Sequence, residues 1–419
     1  MSRHRAGLLL ATLTALLAAA PAAARGAVDL GTTIVELEFR TFWVDAHPLA
    51  APLAELVKQF NADNVGRSVV SIAPQPDAAE YANRTITRLS AGDASDIFVL
   101  HPDADHFRFY EGNLLMDLTD DLAGSWGQLF LPGAVEQATR RERTKSVPFE
   151  YALAPIWFNE SLFKAAGINT FPRILADLWL AMERIRDLGT VPAAQAGRGP
   201  TSMLWFSHLA VSLGGRQVWQ RPLDDPLYEQ AALALQQMYR RGNTTAGAIV
   251  ADLAAARAGY HRGETSMIVD DGTGLAAVRE RAPAVHTATR LAYAPQVGDF
   301  YGFIIGEPLT HLAAGATADP RERAAAVSFL RWLTLPANLL LFTEQTGALF
   351  PVRYPAIRNI DPLLQDYMRI TRDAAFVAAP LTSAWPTAGS ETFAAALRVL
   401  VASERSPALF MQTLAAADG

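Results

Sequence analysis

The chain has 419 residues, 50% of them hydrophobic and 19% charged, which excludes a disordered or collagen-like polymer and supplies apolar side chains for two or three domain-sized units. Its 36 Lys and Arg against 42 Asp and Glu give a net charge of −6, a poor balance for a general nucleic-acid binder, which needs clustered cations. The absence of cysteine removes disulfides, thiolate metal sites, a cysteine nucleophile and a lipid anchor on cysteine.

Residues 1–24 read as a secretory signal peptide. Arg3, His4 and Arg5 form a basic start, Ala6 to Ala20 an apolar run, and Pro21 with Ala22-Ala23-Ala24 a small-residue cleavage site. The run is shorter than the ~20 apolar residues of a membrane-spanning helix, so cleavage near Ala24 and a periplasmic mature protein are expected. Further on, the apolar stretch from Phe329 to Phe342 is interrupted by Arg331 and Pro336.

Val35, Leu37 and Phe39 alternate with Glu36, Glu38 and Arg40, the period of a strand. Pro48 then opens a helix whose apolar stripe is Leu49, Leu53, Leu56, Val57 and Phe60. Val69 to Ile72 follows as a strand, Tyr81 to Leu89 as a helix stopped near Gly92, and Ile97 to Leu100 as a continuous apolar strand of the buried parallel type. These are two consecutive βαβ units, so the first lobe is α/β with a mostly parallel sheet. Ligands of such sheets bind beyond the carboxyl ends of the strands, which selects Trp43 and Asp45 after the first strand and His101 and Asp103 after the third.

The middle of the chain is more helical, with helices expected over Asp177 to Leu188, Trp205 to Leu213, Tyr228 to Arg240 and Ala246 to Tyr260. Short strands are expected at Ser266 to Val269, leading into Asp270-Asp271-Gly272-Thr273-Gly274, and at Leu291 to Ala294. Helices return at Arg321 to Leu333, Ala337 to Thr346, Glu391 to Ser403 and Pro407 to Ala417.

Several stretches resemble, in order, the extracellular solute-binding proteins of ABC importers, in the large sugar-binding family that includes maltose-binding protein. They are Phe42-Trp43 with Phe60-Asn61-Ala62-Asp63-Asn64; Leu89 to Phe98, where Ser95 stands in place of the usual Pro; Val147-Pro148-Phe149-Glu150-Tyr151 followed by Ile156 to Gly167; Arg262 to Asp271; and Ala324 to Leu333 with Gly347 to Arg353. The resemblance implies a two-lobed periplasmic-binding-protein fold, each lobe a mostly parallel sheet flanked by helices. Three crossings would form the hinge, near Glu150 to Ala154, Ala292 to Gly298 and Gly347 to Val352. Lobe I would take residues 28–150 and 298–346, and lobe II 151–297 and 347–419.

The same resemblance implies a monomer that captures a small-molecule ligand, a mono- or oligosaccharide, and hands it to the transmembrane subunits of an ABC permease. Sugars present C–H faces to aromatic rings and hydroxyls to carboxylates. The candidate ligand-binding residues are Trp43, Asp45, His101, Asp103, Glu150, Tyr151, Trp205, Asp270, Asp271, Tyr301, Arg353 and Trp385. Each has a structural alternative: Trp43 and Trp205 as core, Asp45 as a helix cap, Asp271 as a turn residue, Arg353 as a brace of the hinge turn. His101-Pro-Asp103-Ala-Asp105-His106 has the residue types of a divalent-metal site. Alternate residues of an extended segment project oppositely, however, and Pro102 forces a turn, so a solvated loop and no metal are expected.

No zinc-protease, nucleophile-elbow or P-loop pattern is present, and no carboxylate pair shows glycosidase spacing. Neither enzyme activity nor a cofactor is expected. The rival readings are the same fold binding a polyamine, for which Asp45, Asp103, Glu150 and Asp271 are suited, or another small solute, and an exported carbohydrate-active enzyme.

Overall fold

A computed structural model describes residues 34–75, 77–101, 109–110, 112–222, 224–240, 242–356, 360–384, 389–402 and 406–418. The expected signal peptide lies outside these residues, as do Asp103, Asp105, His106 and Trp385.

In β1 (Val35–Thr41) the side chains of Leu37, Phe39 and Thr41 are buried and those of Glu36, Glu38 and Arg40 occupy the opposite face. β2 (Ser68–Pro74) and β3 (Ile97–Leu100) flank it in parallel, with Phe39 opposite both Ile72 and Ile97. The helices Ala50–Asp63 and Ala78–Ser90 make the two crossovers. The first begins two residues after Pro48 and buries Leu53, Leu56, Val57 and Phe60. The second is capped by Asp77, whose Oδ1 accepts from the Glu80 amide at 2.7 Å.

β4 (Thr139–Arg140) and β5 (Arg143–Thr144) form a hairpin. The remaining strands are β6 (Val147–Pro148), β7 (Tyr151–Ala154), β8 (Ile156–Asn159), β9 (Val191–Ala193), β10 (Thr265–Val269), β11 (Thr289–Ala292), β12 (Ile304–Pro308), β13 (His311–Ala314) and β14 (Val377–Ala378). The first lobe's sheet has the order β2-β1-β3-β13-β6 and the second lobe's β11-β8-β10-β9. Each is parallel in strand direction apart from one reversed strand, β13 or β8. Both reversed strands directly follow a strand of the third sheet, so neither is reached through the helical crossover that parallel pairing requires.

Period-2 alternation also divides the core. Trp157 and Ile268 face the large cluster shared with Phe149, Phe350 and Tyr367, while Ile156, Phe158, Met267 and Val269 face a second cluster built on the helices Leu204–Gly214, Pro226–Met238 and Ser390–Ala402. Burial on both faces explains the continuous apolar reading of these strands.

A third sheet, β14-β12-β7, lies at the crossings. Tyr151 opposes Pro308 and Ala152 opposes Glu307. The amides of Leu309 and Thr310 donate to the Glu150 carbonyl at 2.7 and 3.3 Å, and the Tyr151 amide donates to Leu349 O at 2.9 Å. Three chain segments are thus tied together around Glu150 and Tyr151.

This arrangement corrects the second crossing, expected at Ala292 to Gly298. Gln296 exchanges backbone hydrogen bonds with Arg173 and Leu175 at 2.8 and 3.0 Å, and Ser212 Oγ donates to Phe300 O at 2.9 Å. Residues up to 303 therefore stay bound to second-lobe elements. β12 is in the crossing sheet, and the chain enters the first lobe's sheet only at His311. The expected helix from Ala246 begins at Leu253, where Asp252 Oδ1 accepts from Ala255 N at 2.9 Å. A helix at Pro362–Asp373, capped by Asp361 through Leu363 N and Leu364 N, was not expected.

Among the described residues no single helix is long and apolar enough to cross a membrane; only the pair Pro320–Leu333 and Pro336–Thr346, bent by 53°, passes on length and composition. Phe329, Leu330, Leu333, Leu339 and Phe342 of that pair are buried in the large cluster.

Candidate functional site

Two cavities open where the crossings meet the lobes. The larger, about 250 Å³, is walled by His47 and Leu49 from the segment after β1, by Glu150 and Tyr151, by the turn after β10, and by Leu309 and Thr346 to Leu349. The smaller, about 50 Å³, lies against Ala152, Ala154, Thr201, Leu204, Glu307 and Thr382. Asp271 borders both. The walls come from the first lobe, the second lobe and the crossings alike.

Strand ends place the charged groups. Glu150 follows β6, and burial pushes its carboxyl up to about 7. Glu307 stands on β12, where burial raises it and the nearby Asp271 charge adds to the effect, while Ser383 Oγ donates to its Oε2 at 2.8 Å. Asp271 Oδ1 accepts from Thr273 Oγ1 at 2.5 Å, Thr273 N at 3.1 Å and Arg257 Nη2 at 3.0 Å. Its neighbour Asp270 is buried and takes two hydrogen bonds of 2.7 Å from Arg257. Asp270 is thus part of the wall's support.

The structure brings Glu150, Tyr151 and Asp271 to the cavities. Tyr151 is 2% exposed, and its hydroxyl donates to Ala134 O at 3.3 Å; burial, reinforced by the Glu307 charge, holds the phenol above its usual range. Trp43 is elsewhere: at 1% exposure it stacks on Phe149 inside the core. Trp205 is likewise in the second core cluster. Both are corrections, and both follow from apolar neighbours that give a large ring more contact inside than at an edge.

Asp45 is exposed at φ 54°, in the turn before the first helix, and caps nothing. His101 stacks on Phe42 at 5.2 Å and lines neither cavity. Tyr301 packs edge-on to Tyr293 under the Arg173 guanidinium, 4.7 Å from the ring centroid. Arg353 is exposed and donates to the Arg372 carbonyl, as a brace of the turn. None of these four lines either cavity.

His47, Thr273, Leu309 and Glu307 are wall residues that sequence reasoning missed. Glu307 had a signal: a lone acid closing the apolar run Phe303-Ile304-Ile305-Gly306. Among the described residues no group of three or more His, Asp or Glu is arranged to hold a metal ion.

Two α/β lobes joined by several crossings, with a cleft walled from both, define a two-lobed receptor for a small solute. The chain belongs to the bacterial extracellular solute-binding protein family, whose sequence profile matches residues 46–339. No curated protein sequence matches the chain. Solved structures share the fold at low identity. A probable secreted solute-binding lipoprotein from Streptomyces coelicolor is 18% identical, with 91% of this chain and 98% of that one covered and a TM-score of 0.75. The apo form of RafE from Streptococcus pneumoniae is 18% identical, covering 93% and 98%, with a TM-score of 0.72; RafE is also known in complex with raffinose. A cyclic alpha-maltosyl-1,6-maltose binding protein from Arthrobacter globiformis is 17% identical, covering 92% and 98%, with a TM-score of 0.71.

Proposed function

We propose that the protein is the substrate-binding component of an ABC importer, exported through a cleaved signal peptide, that captures a small carbohydrate between its lobes and delivers it to a membrane permease. The observation that carries this reading is the cleft itself: carboxylates at the crossings, with wall residues from both lobes. Carboxylates accept strong hydrogen bonds from sugar hydroxyls. RafE and the cyclic maltosyl-maltose receptor, which share the fold, are sugar binders by name.

Capture works through a hinge. Closing brings contacts that the open form lacks, and a ligand favours closure only by its differential affinity for the closed form. Micromolar capture corresponds to roughly 8 kcal/mol in total, within reach of a few charge-assisted hydrogen bonds and one apolar face. Leu49, Leu309 and Leu349 supply apolar wall in the larger cavity.

A thermal-shift screen of mono-, di- and trisaccharides, with putrescine and spermidine alongside, tests the assignment. A saccharide that raises the melting temperature and saturates supports it; a response to the polyamines alone replaces it with the polyamine reading, which the absence of Lys and Arg among the described wall residues favours.

A further inference from the structure

The two cavities carry three carboxylates, Glu150 in the larger, Glu307 in the smaller and Asp271 bordering both, and among the described residues no Lys or Arg lines either wall. Two of the three are already engaged. Asp271 is held by Thr273 and by Arg257 behind it, at 3.0 Å. Glu307 takes the Ser383 hydroxyl at 2.8 Å.

Glu150 differs. Its main chain is fixed, the carbonyl accepting from Leu309 N and Thr310 N and the amide donating to Thr310 Oγ1 at 3.4 Å. Its carboxylate, on a partly buried side chain at the cavity wall, has no hydrogen-bond or ion-pair partner among the described residues. Leaving a carboxylate unpaired in such a place is costly. A ligand ammonium both donates hydrogen bonds to it and cancels the charge, the stronger type of contact.

The other titratable wall groups do not substitute for that ammonium. Tyr151, Asp271 and Glu307 are acids or a phenol. His47, from the segment after β1, is moved below its usual range by burial, which favours the neutral ring at pH 7.

The geometry points to Glu150 as the group that sets specificity: the cleft takes a saccharide bearing a protonated amine, with the ammonium on Glu150 and hydroxyls on Asp271 and Glu307. This rests on the saccharide reading above and narrows it to amino sugars and their oligomers. Burial pushes the Glu150 carboxyl up to about 7. An arriving ammonium lowers it, so capture of an aminated ligand releases a proton near neutral pH, whereas capture of a neutral sugar does not.

The test is titration calorimetry on the mature protein with matched sets. Each set holds a free-amine sugar, its N-acetyl form and its plain hydroxyl counterpart, in the gluco and galacto series, as monomers and as β-1,4-linked dimers and trimers. The expected result is a free-amine member binding about tenfold or more tighter than both neutral partners, with heats that depend on the buffer's ionisation enthalpy. In Glu150→Gln the ratio falls to within about twofold, with circular dichroism reporting that the variant is folded. Neutral members binding as tightly as the amine in wild-type protein overturn this inference and leave the saccharide reading standing, and this outcome needs no variant. An unchanged ratio in Glu150→Gln also overturns it. No saccharide binding in any set overturns both readings.

Discussion

Arg257 grips Asp270 through a fork of two 2.7 Å hydrogen bonds, Nε to one carboxylate oxygen and Nη2 to the other. The same Nη2 reaches Asp271 and the Thr273 hydroxyl, so one guanidinium fixes the turn that faces the cleft. Asp270 is 2% exposed, and removing its partner strands a charge inside the protein. Arg257→Ala is expected to cost about 3–5 kcal/mol in urea unfolding and to weaken ligand binding by loosening Asp271. Arg257→Lys, which cannot reproduce the fork, recovers only part of the loss.

Glu150 gives stability a pH dependence of known sign. Its folded value is raised from 4.5 to about 7 by burial, so between those values the folded protein holds more protons than the unfolded one. Stability therefore falls as pH rises from about 4.5 to about 7 through this group. Glu150→Gln is expected to match wild type near pH 4.5 and to exceed it by about 1–3 kcal/mol at pH 8, read from melting temperatures of the empty protein at both pH values.

His208 acts at the acid end. It is fully buried, its Nε2 bonded to the Ala154 carbonyl at 2.8 Å, and desolvation moves its value from 6.5 down to about 4. Below about 6.5 the unfolded chain takes up a proton that the folded chain refuses, so stability falls as pH drops toward 4, by up to about 3 kcal/mol. Replacing His208 with Gln keeps a donor for Ala154 and is expected to flatten that part of the stability–pH curve.

Trp43 separates a core role from a ligand role. Its ring centroid is 5.1 Å from that of Phe149, with planes 25° apart, and its Nε1 has no hydrogen-bond partner among the described residues. Trp43→Phe then loses packing and no hydrogen bond. It is expected to lower stability by about 1–3 kcal/mol while ligand affinity, measured by calorimetry, stays within about twofold.

The elements with strong periodicity were legible in the sequence. The alternation from Val35 to Arg40 and the stripe Leu53, Leu56, Val57, Phe60 recur as β1 and the first helix. The helix at Pro362–Asp373 carried signals that went unread: an Asp-Pro start and the apolar positions Leu363, Leu364, Tyr367, Met368 and Ile370. The site was harder. The rule that ligands bind beyond strand ends selected Trp43, Asp45 and His101, which line neither cavity, whereas Glu150 and Asp271, which do, entered through the family resemblance. Whether a large ring sits in the wall or behind it depends on neighbours far along the chain, such as Phe149 for Trp43. Glu307 joins the site only because β12 pairs with β7, across more than 150 residues, a pairing that no local pattern announces.

The central claim is closure of two lobes on a small saccharide. The absence of native cysteine allows two dyes to be placed cleanly, on Val65→Cys in the turn before β2 and Leu180→Cys on the second lobe's helix Leu175–Asp187, positions 80% and 56% exposed. Energy transfer between them, recorded during saccharide titration, is predicted to change saturably and with the same dissociation constant as the calorimetric binding curve. A bound saccharide that leaves the distance between the dyes unchanged, for this pair and for a second pair across the cleft, would contradict the account.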